Sequence, residues 1–152
     1  MKIVYLSITG NTRAFVQHLQ AYGKEQQRFN ETAPQIILEE IDDNTLPYEE
    51  TTPFFAFVPT YLEGGNGVDN GDQEILTESL REHIAFRNNA QHCLGIIGSG
   101  NKNFNNQYCL TAKQYAEAFA VPLLADYELR GTAADVTRIY ELVVATRKEQ
   151  EI

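Results

Sequence analysis

The run Phe54-Phe55-Ala56-Phe57-Val58 constrains this chain more than any other feature. It offers no polar side chain to either face of a strand, so the strand it forms must be covered on both sides, as the central strands of parallel sheets are. Pro59 ends it, because a proline nitrogen cannot donate to the ladder. A second run, Ile3-Val4-Tyr5-Leu6, enters the tight polar turn Ser7-Ile8-Thr9-Gly10-Asn11. Phe15, Val16, Leu19 and Tyr22 then share one face at helical spacing, with Gly23 expected to cap that helix. Gln35 to Ile41 reads as a strand bounded by Pro34 and by Asp42-Asp43-Asn44.

Beyond the Phe-rich strand the pattern repeats. Ile75, Leu76, Leu80 and Ile84 give a helical stripe, and His92 to Ile97 is a buried strand ended by Gly98-Ser99-Gly100-Asn101. Ala112, Tyr115, Ala116 and Phe119 form the next stripe, and Leu123 through Leu129 supplies another strand. Thr132-x-x-Asp135 resembles a capping box ahead of Val136, Ile139, Tyr140 and Val143. Such alternation predicts a three-layer α/β fold, because right-handed crossovers put helices on both faces of a mainly parallel sheet. At 152 residues, read as a single domain over 1–152, the natural candidate is the doubly wound, flavodoxin-like five-stranded sheet in order 2-1-3-4-5. Ligands of such sheets bind beyond the carboxyl ends of strands 1 and 3, so the loops Ser7–Thr12, Thr60–Gly71 and Gly98–Asn106 should converge on one rim.

Composition narrows the chemistry at that rim. Twelve Lys+Arg against 21 Asp+Glu give a net charge of -9, the wrong sign for a protein that tracks nucleic-acid phosphates. No apolar run approaches the length of a membrane span, and the N-terminus turns polar too soon for a signal peptide. Cys93 and Cys109 lack CxxC spacing, which fits a reduced, cytoplasmic setting, and His18, His83 and His92 lack metal-ligand spacing. Neither a Gly-x-Ser-x-Gly elbow nor a cysteine paired with a facing histidine is present, so acid/base or nucleophilic catalysis has little support.

The first loop offers the hydroxyls of Ser7, Thr9 and Thr12 and a run of backbone N–H groups at a helix N-terminus, where an anion is favoured. It is neither a Walker A loop nor a GxGxxG turn. Spacing alone leaves two readings open: a cradle for a terminal monophosphate, or a capped turn without a ligand. In the second loop Tyr61 has the shape to cover a flat ring, and a Gly64-Gly65 peptide can flip toward a ring nitrogen in one redox state, against the plain reading of a long surface loop. The third loop, Gly98 to Asn106, combines close-approach glycines with Asn101, Asn103 and Phe104, suited to a ring of alternating acceptors and donors or to an Asn-rich turn. Tyr108 fits the core better than a ligand site.

The Ser-x-Thr-Gly-Asn-Thr loop resembles the FMN phosphate loop of flavodoxins. Together with Ser99-Gly100-Asn101-Lys102-Asn103-Phe104 and Glu128-Leu129-Arg130-Gly131-Thr132 with Asp135-Val136, it resembles the NrdI family over essentially the whole chain. That resemblance implies an FMN flavoprotein partnering the small subunit of class Ib ribonucleotide reductase. Its reduced form would react with oxygen and supply superoxide or a related oxidant for assembly of the dimanganese-tyrosyl radical cofactor. A flavodoxin, a flavin reductase or another donor would reduce it. Carried across, Ser7, Thr9, Gly10, Asn11 and Thr12 would hold the phosphate. Thr60, Tyr61, Gly64 and Gly65 would border the isoalloxazine, the two glycines near its N5, and Ser99, Gly100, Asn101, Asn103 and Phe104 would form the other edge. No side chain is implied as catalytic, the chemistry belonging to the flavin. Tyr61, Glu63, Asn66, Lys102 and Asn103 are expected to meet the partner. The sequence departs from the family pattern in the long stretch Glu63 to Asp72 and at Asn105, where glycine is common. The alternatives are an ordinary electron-shuttling flavodoxin with a different partner, or a phosphate-binding domain without redox chemistry.

Overall fold

A computed structural model describes residues 1–62 and 74–150, and for residues 104–106 the backbone alone. Strands β1 (Lys2–Tyr5), β2 (Ile37–Glu40), β3 (Phe54–Pro59), β4 (Cys93–Gly100) and β5 (Leu123–Glu128) form one parallel sheet in the order β2-β1-β3-β4-β5, as the alternation predicts. Helices α1 (Asn11–Phe29), α2 (Glu78–Ala85), α4 (Leu110–Phe119) and α5 (Ala133–Gln150) pack on it, with α3 (Asn89–His92) a single turn before β4.

Every residue of β3 is buried, which is what its sequence demands. Phe55 and Phe57 point into the core under α1 and α5, with Phe15, Leu19, Ile139 and Val143. Phe54, Ala56 and Val58 point the other way, toward Leu80 and Ile84 of α2 and Ala112 and Tyr115 of α4. The period of two along one strand thus divides the interior into two cores.

Several local expectations change. Gly23 does not cap α1; the helix continues to Phe29, and Gly23 lies inside it where a Cβ would come 2.9 Å from Ile36. Here glycine marks close helix–sheet packing, which outweighs its weak helix propensity. Ile75 and Leu76 precede α2 and are exposed, Leu76 with φ 67°, so the buried stripe is Leu80, His83 and Ile84. His92 belongs to α3 rather than to the strand, and β4 runs on through Gly98, Ser99 and Gly100 instead of ending before them. Those three residues pair with Asp126, Tyr127 and Glu128 of β5, and a strand flanked on both sides keeps its ladder despite the glycines. β2 is shorter than Gln35 to Ile41.

At the amino ends of the strands, away from the rim, the side chain of Glu50 is fully buried. Lys2 Nζ lies 2.5 Å from Glu50 Oε2 and 2.8 Å from Glu39 Oε1, and His83 Nε2 lies 3.0 Å from Glu50 Oε1. Asn89 Oδ1 accepts from the Glu50 N–H at 2.7 Å, and its amide donates to the carbonyls of Tyr48 and His83. Burial alone would lower the Lys2 ammonium, but Glu39 and Glu50 outweigh it and raise it. His83 is therefore a packed core histidine, and no metal-binding cluster occurs among the described residues.

Candidate functional site

The carboxyl ends of β1, β3 and β4 bring the described parts of the three predicted loops together. In the first loop Gly10 is the N-cap of α1, with φ 94° and no side-chain cap. Nothing lies within 4 Å of where its Cβ would stand, so this end of the helix is open. The Ser7 hydroxyl accepts from the Arg13 N–H at 3.2 Å, and the Ala14 N–H bonds to the Gly10 carbonyl at 3.0 Å. The N–H groups of Asn11 and Thr12 have no partner among the described residues. Two amides, a helix dipole and no cation within residues 7–12 make a cradle for an anion held by neutral donors. Arg13 turns away, its Nε 2.7 Å from Glu40 Oε1.

Thr9 Oγ1 and the Tyr61 hydroxyl are 2.9 Å apart, which joins the first loop to the second. Tyr61 is itself fixed from behind. The Ile75 N–H donates to its carbonyl at 2.9 Å, and Leu62 pairs with Glu74 in an antiparallel bridge. The Glu74 carboxylate then accepts from Arg81 Nε at 2.7 Å and from the hydroxyls of Thr77 and Tyr115. This anchor was invisible in the sequence, since Glu74 and Tyr115 lie 41 residues apart. Thr60 serves α4: its hydroxyl accepts from the Thr111 N–H at 3.3 Å. Gly64 and Gly65, with Glu63 and Asn66, lie outside the described residues.

On the other side, Ser99 is buried beneath the rim, not on it. At Gly100 a Cβ would stand 2.9 Å from the Cys109 nitrogen, a close backbone approach only glycine permits. Asn101 Oδ1 accepts from the Asn103 N–H at 2.9 Å, an Asx-type turn that opens the 3-10 helix Lys102–Gln107. Asn103 is exposed at the rim, and the Phe104 side chain lies outside what is described. Tyr108 is half-buried and donates to Asp126 at 2.9 Å, so its hydroxyl is committed to the fold. Beside the third loop, an open cleft of about 550 Å³ is lined by Lys102, Tyr108, Asp126, Glu128, Arg130 and Arg138, among others, and by no residue of Ser7–Thr12. The cradle and the cleft are neighbours, not one cavity.

Two buried hydroxyls near the rim, those of Thr111 and Tyr127, have no hydrogen-bond partner among the described residues. Sequence reading singled out neither; Tyr127 lay unremarked within the strand read over Leu123 to Leu129. Both cysteines are buried, and burial pushes the Cys93 and Cys109 thiols up to about 12, which gives no support to a nucleophilic role.

The residues present therefore fit a flat, phosphorylated cofactor: an open helix end with two unpartnered amides for the anion, and beside it an aromatic, Tyr61, hydrogen-bonded to Thr9. Comparison with known proteins agrees with that fit. Residues 3–141 match the family model described as NrdI flavodoxin-like. An NrdI-like protein of Streptococcus pyogenes serotype M1 is 53% identical over 142 residues, covering 93% of this chain and 86% of the relative. The protein NrdI of the same organism is 34% identical over 138 residues, covering 90% and 74%. Among solved structures, a short-chain flavodoxin associated with a non-canonical PDU bacterial microcompartment superposes with a TM-score of 0.62 at 16% identity, over 97% of this chain and 96% of that one. A cysteine-to-alanine mutant of the flavodoxin from Pseudomonas aeruginosa gives 0.55 at 17%, over 97% and 99%. At such identities the structures speak for the fold.

Proposed function

The chain belongs to the NrdI flavodoxin-like family, and from that premise we propose that it is an FMN flavoprotein serving class Ib ribonucleotide reductase. In this reading its reduced form reacts with oxygen and supplies superoxide or a related oxidant to the small subunit, where the dimanganese-tyrosyl radical cofactor is assembled. Bound FMN would supply the electron-transfer chemistry, and the polypeptide would set orientation, charge and access. The amides of Asn11 and Thr12 hold the phosphate at the end of α1, with Gly10 leaving room for it and Ser7 bracing the turn. Thr9 orients Tyr61 over the ring. Thr60, Gly64 and Gly65 border one edge of the ring system, and Gly100, Asn101, Asn103 and Phe104 the other, with Ser99 in the buried layer beneath them. A net charge of -9 disfavours added electrons on a bound flavin. Reducing equivalents come from a flavodoxin, a flavin reductase or another donor in the cytoplasm, and Tyr61, Glu63, Asn66, Lys102 and Asn103 flank the docking edge.

The observation that carries this reading is the open, uncapped N-terminus of α1 beside a Thr9–Tyr61 hydrogen bond. The test is direct. Purified protein should be yellow, should bind FMN far more tightly than riboflavin, and when reduced should generate tyrosyl radical in a manganese-loaded small subunit exposed to oxygen. Oxidised protein should not. Equal affinities for the two flavins would remove the phosphate assignment.

One comparison favours a second reading. The chain is 53% identical to an NrdI-like protein and 34% identical to the protein NrdI of the same S. pyogenes serotype, so one organism holds two such proteins and this chain resembles the first more. That division suits an electron-shuttling flavoprotein with a different partner. It predicts FMN binding as before, with radical yield in the reductase subunit unchanged by adding the protein.

A further inference from the structure

Tyr127 is 2% exposed and its hydroxyl is buried without a hydrogen-bond partner among the described residues. An orphan of this kind in a folded protein calls for an explanation. Its ring stacks on Phe15 of α1 with centroids 3.8 Å apart and planes 13° from parallel. Phe15 stands one helical turn after Thr12 on the same face of α1, so the stack carries the phenol to the first turn of that helix. From β4, Ser99 is the register partner of Tyr127. Gly131, with φ 72°, closes over the pair: a Cβ there would stand 2.6 Å from the Phe15 ring and 3.3 Å from that of Tyr127. The phenol is thus sealed from water, with the buried Thr12 and Ser99 hydroxyls as its polar surroundings. Burial pushes its pKa up, and those two hydroxyls, which face it, work in the opposite direction. It is a neutral donor with no acceptor in bonding geometry.

Thr12 is where this buried layer meets the cradle. Its N–H is one of the two unpartnered amides at the helix end, and its hydroxyl can accept one hydrogen bond while donating another. We propose that Tyr127 is a positioning residue for the anion: its hydroxyl donates to Thr12 Oγ1 from beneath α1, turning the Thr12 proton toward a phosphate at the helix end. The inference rests on the FMN reading and adds to it a buried determinant of selectivity for phosphorylated over dephosphorylated flavin. Without the anion the phenol and the Thr12 hydroxyl face each other outside bonding geometry. With the anion bound, the Thr12 proton is drawn outward and the relay closes.

Titration of the apoprotein with FMN and with riboflavin, for the natural chain, Tyr127→Phe, Thr12→Ser, Thr12→Val and the double variants, tests this. Tyr127→Phe should weaken FMN binding by about three- to tenfold, the range of one hydrogen bond, and leave riboflavin unchanged. The same substitution should not lower the melting temperature of the apoprotein, since it removes an unpaired buried hydroxyl. Thr12→Ser keeps the relay and should stay sensitive to Tyr127→Phe, whereas in Thr12→Val the second substitution should add nothing. Equal FMN affinity for the natural chain and Tyr127→Phe overturns the proposal. So do equal losses for FMN and riboflavin, which would mark a packing role, and an additive loss on Thr12→Val. If the natural chain does not prefer FMN to riboflavin, the phosphate reading fails and this inference fails with it; preference retained but unaffected by Tyr127→Phe defeats the inference alone.

Discussion

Replacing Lys2 with methionine should destabilise the protein through Glu50, whose carboxylate is fully buried at the amino ends of the strands. The substitution keeps the length and apolar stem of lysine while removing the charge, so Glu50 would keep His83 Nε2 at 3.0 Å but lose the cation 2.5 Å away, and Glu39 would lose the same cation at 2.8 Å. Stripping one partner from a buried ion pair costs about 3–5 kcal/mol, because the remaining charge is left uncompensated. The Lys2 side chain is 18% exposed, so water offers some relief and the expectation is the lower end, about 3 kcal/mol. For a domain of this size that corresponds to a fall in Tm of about 6–12 °C. Calorimetry or urea denaturation of Lys2→Met, Glu50→Gln and the double variant reads the result. The double variant should recover most of the loss, since it leaves the fully buried Glu50 side chain neutral, while Glu39, which also loses Lys2, is 28% exposed and reaches water. Flavin affinity should be unchanged, the site being at the opposite ends of the strands. A loss below about 1 kcal/mol would mean that the pair is screened like a surface bridge. A double variant no better than Lys2→Met would refute the unpaired-charge explanation itself.

Three further outcomes are expected. Gly10→Val should weaken FMN by placing a branched side chain at φ 94° in the open helix end; because no protein atom lies near that Cβ, the stability cost should be backbone strain alone, about 1–2 kcal/mol by denaturation. Asp135→Ala should cost about 1 kcal/mol at neutral pH by removing the reciprocal cap in which Asp135 Oδ2 accepts from the Thr132 N–H at 2.9 Å and Thr132 Oγ1 from the Asp135 N–H at 3.1 Å. Burial alone would raise that carboxyl, but Arg138 and Thr132 outweigh it and hold it below its ordinary value. The contribution is therefore complete above the unfolded carboxylate's titration near pH 4 and fades as pH falls through the depressed value, where urea curves of the two proteins should converge. Glu74→Ala should loosen the grip on Tyr61, lowering FMN affinity and raising protease sensitivity next to Leu62, whereas unchanged affinity would show that Tyr61 is held by Thr9 alone.

The layer architecture was legible because β3 states its own burial: five apolar residues before Pro59 have no other use in a chain this polar. The cradle was legible because hydroxyls and a glycine between an apolar strand and a helical stripe are a local pattern, and loop and helix end are built from the same dozen residues. What stayed hidden was set across distance. Gly23 looked like a stop signal, yet the contact that selects glycine there comes from Ile36, which no local pattern connects to it. Ile75 and Leu76 extend the spacing of Leu80 and Ile84, yet Thr77 at the N-cap position begins the helix after them. Tyr127 alternates like any inward-facing strand residue, and only its stacking on Phe15 brings its hydroxyl to α1. Gly98-Ser99-Gly100 has turn composition, but β5 pairs with all three residues and β3 with the first two, which holds it in the ladder.

The two buried thiols have a bearing on durability. Under the proposed function, a protein that makes diffusible oxidant at its own rim would be its own first target, and sulfur is the element such species attack most readily. Cys109 stands directly behind the third loop, its backbone against Gly100 and its side chain close behind Gly98, yet it is wholly covered. With its thiol pushed up to about 12 it carries almost no thiolate at neutral pH, and the same holds for Cys93. The remaining sulfur is the single methionine, Met1, at the far end of β1, and there is no tryptophan. The sulfur-bearing side chains are thus few, covered or remote, so under that reading repeated turnover in air should leave them unoxidised by mass while the oxidant goes to a partner docked against the rim.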